Sequence, residues 1–335
     1  MSQRIECVPN FSEGRDPFVI QQLAEAIQSV KGVSLLNIDP GKAANRTVYT
    51  FVGEPKLVID AAFRAIKKAA ELIDMSSQKG EHPRIGATDV CPLVPIQGIT
   101  LEETAVYAQQ LAERVGRELR IPVFLYEASQ PNKSRSNLAV IRKGEYEGMF
   151  EKIKNPDWKP DFGPAKNSIK SGATVIGARN FLIAYNINLN TPSAEIASKI
   201  AAEVRETGYI VKSGNEVHKV PGLLKSVKAI GWYIQEYGFA QVSMNLTDMN
   251  TTPVHVAFET VSEIAKKHGV NVTGSELIGL IPLKALIDSG VYFLKKSGMG
   301  ADEEKAIINT AINELGLNQL SPFVAEKRII EYLIG

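Results

Sequence analysis

His82 lies in the run Gly80-Glu81-His82-Pro83-Arg84-Ile85-Gly86-Ala87-Thr88-Asp89, between a long helical pattern and the apolar stretch Val90 to Ile96. Glycine and proline frame this run as a loop, and the neighbouring carboxylate and guanidinium groups can tune an imidazole across neutral pH. Such a group can carry protons during turnover. It can equally be a satisfied structural histidine, and the residues alone leave both readings open. The other three histidines offer less. His255 falls with Glu259, Ser262 and Lys266 on the polar face of a helix, His268 sits in that helix's last turn, where a cation suits the dipole, and His218 lies in a polar loop. No histidine or cysteine pair has ligand spacing, so no metal is expected.

Other residues could recognise a ligand. FLIAYNINL puts Asn186 and Asn188 on one strand face, and QVSMNLT puts Gln241, Ser243, Asn245 and Thr247 on one face, with apolar residues opposite. Amides there can read donors and acceptors of a polar ligand, although a solvated sheet face carries the same pattern. Asp39, Asn45 and Arg46 occupy the segment between two strands, where Asp and Asn are also ordinary turn formers. Gly41-Lys42 lacks the glycine and hydroxyl of a nucleotide phosphate loop. Lys166, Lys170 and Arg179, with glycines at 163, 172 and 177, either hold an anion or form solvated surface. No Gly-x-Ser-x-Gly turn supports serine acylation.

The elements that must position these residues follow from composition and pattern. A chain of 335 residues, 44% hydrophobic and 22% charged, reads as globular with two domains. Its net charge of +1, with both signs interspersed, gives no nucleic-acid stripe and no anionic-membrane surface. No segment approaches the roughly 20 apolar residues of a membrane span, and the N-terminus lacks a signal-peptide core, so a cytoplasmic location is expected. Cys7 and Cys91 are too few and too scattered for a disulfide framework, which predicts buried thiols rather than reactive ones.

In the first half, Arg4 to Pro9 reads as a strand, followed by a helix capped by Asp16 with Pro17 at its first position. Val33 to Ile38 and Thr47 to Val52 read as strands around the loop 39–46, and Pro55 opens a helix to about Ile73. After the strand Val90 to Ile96, Thr100 and Glu103 form a capping box, and Pro122 to Tyr126 returns to the sheet. Residues 151–172 read as a long irregular connection. Phe181 to Leu189 is then a strand, and Thr191-Pro192 caps a helix. Val227 to Ile234 pairs with Ala240 to Thr247, Thr252-Pro253 caps a second helix, and Val270 to Val272 is a last strand. From Ile281 the chain reads as helical with two breaks. The twice-repeated order βαββαβ predicts an α+β fold of two ferredoxin-like subdomains plus a C-terminal helical segment, divided as 1–178, 179–295 and 296–335. A doubly wound sheet is the lesser alternative, because its glycine-rich dinucleotide turn is missing.

At this point the motifs resemble one family. VPNFSEGRD at Val8 to Asp16, NRTVYTFVG at Asn45 to Gly53, GEHPRIGATDVCPLVP at Gly80 to Pro95, PDFGP at Pro160 to Pro164, GARNFLIAYNINL at Gly177 to Leu189 and KAIGWYIQEYGFAQVSMNL at Lys228 to Leu246 are similar to glutamate formiminotransferases. The resemblance implies transfer of a formimino group from N-formimino-L-glutamate to tetrahydrofolate, with no resident metal. It also implies a homodimer and a folate groove between the subdomains. His82 matches the family's catalytic base. The folate-contacting loop matches Gly163, Pro164, Ala165, Lys166, Asn167, Ser168, Ile169, Lys170, Ser171 and Gly172. The chain stops soon after Tyr332, so the expected form is one without a cyclodeaminase domain, its product passing to a separate cyclodeaminase.

On that resemblance, His82 shuttles a proton from the folate nitrogen to the leaving glutamate nitrogen. Asp39 is the expected carboxylate beside the cationic electrophile, with Glu81 in reserve. Arg84, Arg46, Arg179, Lys166 and Lys170 are expected to take substrate carboxylates. Asn45, Asn186, Asn188, Gln241 and Asn245 are expected to contact substrate. Two alternatives keep the fold: formyl transfer between 5-formyltetrahydrofolate and glutamate or use of formiminoglycine, and a folate-binding subunit without turnover.

Overall fold

The computed structural model describes residues 3–213, 216–300 and 302–334. The chain is a mixed α+β protein that divides into two compact units, Met1–Asn180 and Phe181–Gly335. No described helix is long and apolar enough to cross a membrane.

In the first unit, β1 (Arg4–Cys7) and β2 (Asn10–Phe11) are two halves of one strand, interrupted at Pro9, which has no N–H to give the ladder. Helix α1 (Pro17–Gln28) starts as expected, Asp16 accepting from the Phe18 amide with Pro17 behind it. Strands β3 (Val33–Gly41) and β4 (Arg46–Gly53), helix α2 (Pro55–Leu72), strand β5 (Thr88–Gln97) and helix α3 (Leu101–Arg114) follow. The capping box is present in α3, Thr100 and Glu103 exchanging side chain and backbone hydrogen bonds. Strand β6 (Val123–Glu127), helices α4 (Leu138–Arg142) and α5 (Glu145–Lys152), and strand β7 (Thr174–Ala178) complete the unit.

The sheet order is β3-β4-β1/β2-β5-β7-β6, antiparallel up to β5 and parallel beyond it. Alternation along the strands separates two cores. Cys7, Cys91, Leu93, Val123, Leu125 and Ile176 face α1, α2 and α3. Val90, Phe124, Tyr126 and Val175 face the other way, under Ile141, Met149 and Ile153 of the α4–α5 region. Helices therefore cover part of both faces. The segment 151–172, expected to be irregular throughout, begins inside α5 and contains a short helical turn at Pro156–Trp158.

The second unit contains β8 (Ile183–Leu189), α6 (Ala194–Val204), β9 (Tyr209–Ser213), β10 (Glu216–Val220), β11 (Val227–Ile234), β12 (Phe239–Leu246), α7 (Val254–Lys267) and β13 (Val272–Ile278). The helices α8 (Leu283–Lys296), α9 (Glu304–Glu314), α10 (Ala325–Arg328) and α11 (Ile330–Ile334) follow. The order β11-β12-β8-β13 is antiparallel throughout. Tyr185, Ile187, Leu189, Val242, Met244 and Leu246 lie in the core as the alternation requires.

Several expectations change. The cap of α6 is Ser193, not Thr191, because the Ser193 hydroxyl accepts from the Ile196 amide. His218 is on β10, paired with Val211, rather than in a loop. His255 is buried and stacked on Tyr292, with ring centroids 4.3 Å apart, because α8 packs over what reads as a polar helix face. Cys7 and Cys91, far apart in sequence, have Sγ atoms 3.5 Å apart, since β1 and β5 are neighbours; both are free, buried thiols.

Candidate active site

The loop that carries His82 is packed on three sides by backbone. The Glu81 amide donates to the Ala43 carbonyl in the β3–β4 turn. Ser12, just after β2, gives its hydroxyl to the Gly86 carbonyl at 2.7 Å and its amide to the Ala87 carbonyl. From the third side, residues 171–173 run against residues 85–87: the Ala87 amide donates to the Ser171 carbonyl at 2.8 Å, and the Ala173 amide to the Ile85 carbonyl at 3.0 Å. Gly86 makes this approach possible, as a Cβ there would meet the Ala173 carbonyl oxygen at 2.0 Å. Two segments that sequence reading singled out separately thus form one clamp.

Within the second segment, the Gly172 amide donates to the Ser168 carbonyl at 2.9 Å, the Tyr146 hydroxyl donates to the Ile169 carbonyl, and Lys170 gives its Nζ to the Glu71 carbonyl. Lys170 therefore has a partner within the chain, although it is exposed, as are Lys166 and Ile169. Asn167 is 4% exposed, and neither its Oδ1 nor its Nδ2 has a partner.

Beneath this clamp is a buried charge network. Asp89, at the start of β5, is wholly buried; its Oδ2 accepts from Arg46 Nη1 and from Arg142 Nη2, the latter at 2.7 Å, and its Oδ1 accepts from the Ile85 amide. Arg46 also donates from Nε to Asn10 Oδ1 at 3.1 Å. Burial opposes ionisation of Asp89, but the Arg142 and Arg46 guanidinium groups outweigh it and hold its pKa below the usual carboxylate range. Two cations thus share one anion.

His82 is half-buried and senses this network. Burial, reinforced by Arg46 and Arg142, pushes its pKa well below the ordinary histidine value, against smaller opposing effects of Asp89 and the Pro83 carbonyl. Its Nδ1 lies 2.7 Å from the Pro83 carbonyl oxygen. A carbonyl can only accept, so Nδ1 carries the proton and Nε2 the lone pair. The ring is a neutral base with a fixed tautomer.

The remaining candidates divide. Arg84 donates from Nε and Nη2 to Gln78, from Nη1 to Glu145 and Glu147, and from Nη2 to Glu147. Those five bonds match its five N–H groups, so Arg84 fixes the loop from within and has none left over for a substrate carboxylate. Asn45 ties the Gly14 amide to the Lys79 carbonyl. Asp39 is on β3 opposite Val48 rather than in a loop; Pro40 is tolerated there because β3 is an edge strand. Glu81 is exposed. Arg179 donates from Nη1 to the Asn180 carbonyl. In the second unit, Asn186, Asn188 and Gln241 are buried and hydrogen-bonded on one sheet face, while Asn245 is exposed. Sequence reading missed Asp89, Arg142 and Asn10. Among the described residues, no three His, Cys, Asp or Glu side chains come together to hold a metal.

Residues 4–179 match the model of the formiminotransferase domain, N-terminal subdomain, and residues 184–335 match that of the formiminotransferase domain. The chain belongs to the formiminotransferase family. It is 46% identical over its whole length to the formimidoyltransferase-cyclodeaminase of Dictyostelium discoideum, of which it spans 61%. It is 45% identical to the glutamate formimidoyltransferases of Streptococcus pyogenes serotype M1 and Thermoplasma acidophilum, covering 94% and 93% of those proteins with 88% of its own length. The chain spans about three fifths of the bifunctional relatives that it matches.

The clamp gives a direct test. Gly172 has φ +67°, and a Cβ there would meet the Ile85 carbonyl oxygen at 2.3 Å. Gly172→Ala is expected to cost at least about 1–3 kcal/mol and to loosen 171–173 from 85–87. Hydrogen exchange at the Ala87 and Ala173 amides reads this directly; wild-type protection in the variant would show that the clamp does not depend on Gly172.

Proposed function

We propose that the chain transfers the formimino group of N-formimino-L-glutamate to N5 of tetrahydrofolate, giving 5-formiminotetrahydrofolate and L-glutamate, with His82 as the proton-transfer group. The observation that carries the reading is the imidazole with its Nδ1–H fixed on Pro83, in a loop whose residues 85–87 are hydrogen-bonded to the end of the segment that the family resemblance assigns to folate.

The chemistry follows from the electrophile. N5 of the reduced folate attacks the formimino carbon and a C–N bond forms, giving a tetrahedral adduct. N5 must then lose a proton, and the glutamate nitrogen must gain one before its C–N bond breaks. His82 Nε2 accepts the first proton and returns it to the leaving nitrogen, so the histidine ends as it began. Arg46 and Arg142 favour the return step, since they oppose a lasting imidazolium. Arg84 acts as a positioning residue through Gln78, Glu145 and Glu147. The unpartnered Asn167 amide is a ready donor and acceptor for the folate side of the site. Asp39, Arg179 and Lys166 remain candidate substrate contacts.

Both units support the ferredoxin-like reading: β8-α6-β11-β12-α7-β13 with order β11-β12-β8-β13 in one, and the same order in β3-β4-β1/β2-β5 of the other. The same proposal makes the chain a cytoplasmic homodimer, which sedimentation of the purified protein tests.

The deciding experiment mixes the purified chain with formiminoglutamate and tetrahydrofolate and follows formation of the formimino-folate. Product only with 5-formyltetrahydrofolate and glutamate, or tight folate binding without turnover, would overturn the reading. The pH profile is a second check. Because the His82 pKa is depressed, the imidazole stays unprotonated well below pH 6.5, the value of a free histidine. The acid limb of kcat/KM is therefore expected below about pH 6.5; a limb above that value is inconsistent with this base.

A further inference from the structure

The first unit holds a positive charge that the fold does not balance. Arg46, which opens β4, and Arg142, which ends α4, meet over a single carboxylate, Asp89. Their side chains are only 10% and 13% exposed, and neither pairs with another acid among the described residues. Arg46 gives Nη1 to Asp89 and Nε to Asn10, whereas Arg142 gives only Nη2, to Asp89. Arg142 Nε is buried with no partner. Arg84, in the same site, shows the contrast: all five of its N–H groups are used within the chain.

A guanidinium group withdrawn from water is costly unless its charge and its N–H groups are met. Burial lowers the Arg46 pKa despite Asp89, and Arg142 adds to that effect. A second anion would supply both the missing charge and the missing acceptors, and a carboxylate matches the fork of a guanidinium group. The pair also adjoins the base. Asp89 Oδ1 holds the Ile85 amide, and the Ala43 carbonyl, in the turn that leads into β4, holds the Glu81 amide. His82 therefore hangs between the strands that carry Asp89 and Arg46, and both arginines act on its charge.

We propose that Arg142, together with Arg46, binds the α-carboxylate of the formimino donor and so sets donor specificity. This rests on the reading that the chain takes its formimino group from formiminoglutamate. The α-carboxylate is attached to the carbon that bears the departing nitrogen, the atom that His82 must reach. The γ-carboxylate lies two methylene groups further on, and the carboxylates of folate lie beyond its aminobenzoyl ring, away from N5. Asp89 pre-orients both guanidinium groups, so little side-chain freedom is lost on binding.

The test compares kcat/KM of the full chain for formiminoglutamate, its α-carboxamide and its γ-carboxamide, in wild type, Arg142→Gln and Arg142→Lys. Wild type is expected to use the α-carboxamide about 10- to 100-fold less efficiently than formiminoglutamate, the range for hydrogen bonds to a charged group. The γ-carboxamide should lose less. Arg142→Gln leaves Asp89 paired with Arg46; it should lose a similar factor with formiminoglutamate, mainly through KM, and treat the acid and the α-carboxamide nearly alike. Arg142→Lys keeps the charge without the fork and should restore only part of the discrimination. Equal use of the acid and the α-carboxamide by wild type, or a larger loss with the γ-carboxamide, overturns the inference and leaves the transfer reading intact; neither result needs a variant to fold. Variants that lose rate equally with both donors, keeping the wild-type discrimination, overturn it too, as they show that Arg142 only supports the fold. So does an Arg142→Gln effect confined to the KM for tetrahydrofolate, which assigns the pair to a folate carboxylate. Failure of wild type to transfer from formiminoglutamate at all overturns the underlying reading as well.

Discussion

Replacing His82 by alanine is expected to lower turnover by about 10²- to 10⁴-fold while tetrahydrofolate still binds. The size follows from the proposed role: without the imidazole, N5 would lose its proton to solvent, and the departing nitrogen would take one from solvent. The fold should tolerate the change, because the loop is held by Arg84, by Ser12 and by the bonds between 85–87 and 171–173, none of which needs the ring. Steady-state rates with both substrates, beside a folate titration, check this. A folded variant with near-normal turnover would remove the assignment. His82→Asn is the companion, since it keeps a polar group but supplies no base at neutral pH.

Asp89→Ala is expected to be the most destabilising single change at the site, by about 3–5 kcal/mol. It strips a wholly buried carboxylate from two guanidinium groups, leaving Arg46 and Arg142 close together without the anion that they share. It also removes the acceptor for the Ile85 amide. A fall of roughly 10 °C in melting temperature is the scale for a unit of this size. The pH dependence has a definite sign. Folding lowers the Asp89 pKa, so its contribution is fully present above its unfolded value of about 3.9 and is lost as pH falls through the depressed folded value. The variant should lack that part of acid unfolding. A melting temperature within about 2 °C of wild type, which corresponds to less than about 1 kcal/mol, would show that the guanidinium groups find other partners.

What could be read from the chain was mostly local. The Asp16 and Thr100 caps, the alternation in β8 and β12, and the His82 loop each depend on residues a few positions apart. Asp89 carried a signal that went unused: an acid opening the apolar run Val90 to Ile96 must find a buried cation. Arg142 carried none, because its meeting with Asp89 depends on α4 crossing the second face of the sheet. The pairing of Cys7 with Cys91 was hidden for the same reason, since strand adjacency is a property of the sheet and not of spacing. Asp39 was misread as a loop residue because Pro40 argues for a turn wherever strand position is unknown. The extent of β13 was hidden too: it starts two residues later than its pattern suggests and extends six residues beyond the expected end.

The bonds between 85–87 and 171–173 also set an order of events during synthesis. Ile85 leaves the ribosome long before its partner Ala173, and at about 5–20 residues per second the interval is roughly 4 to 18 s. During that interval β5 also waits for β7, its parallel neighbour. The nascent chain therefore carries His82 on an unfinished sheet edge, and the clamp around it is assembled only when the last strand of the first unit arrives.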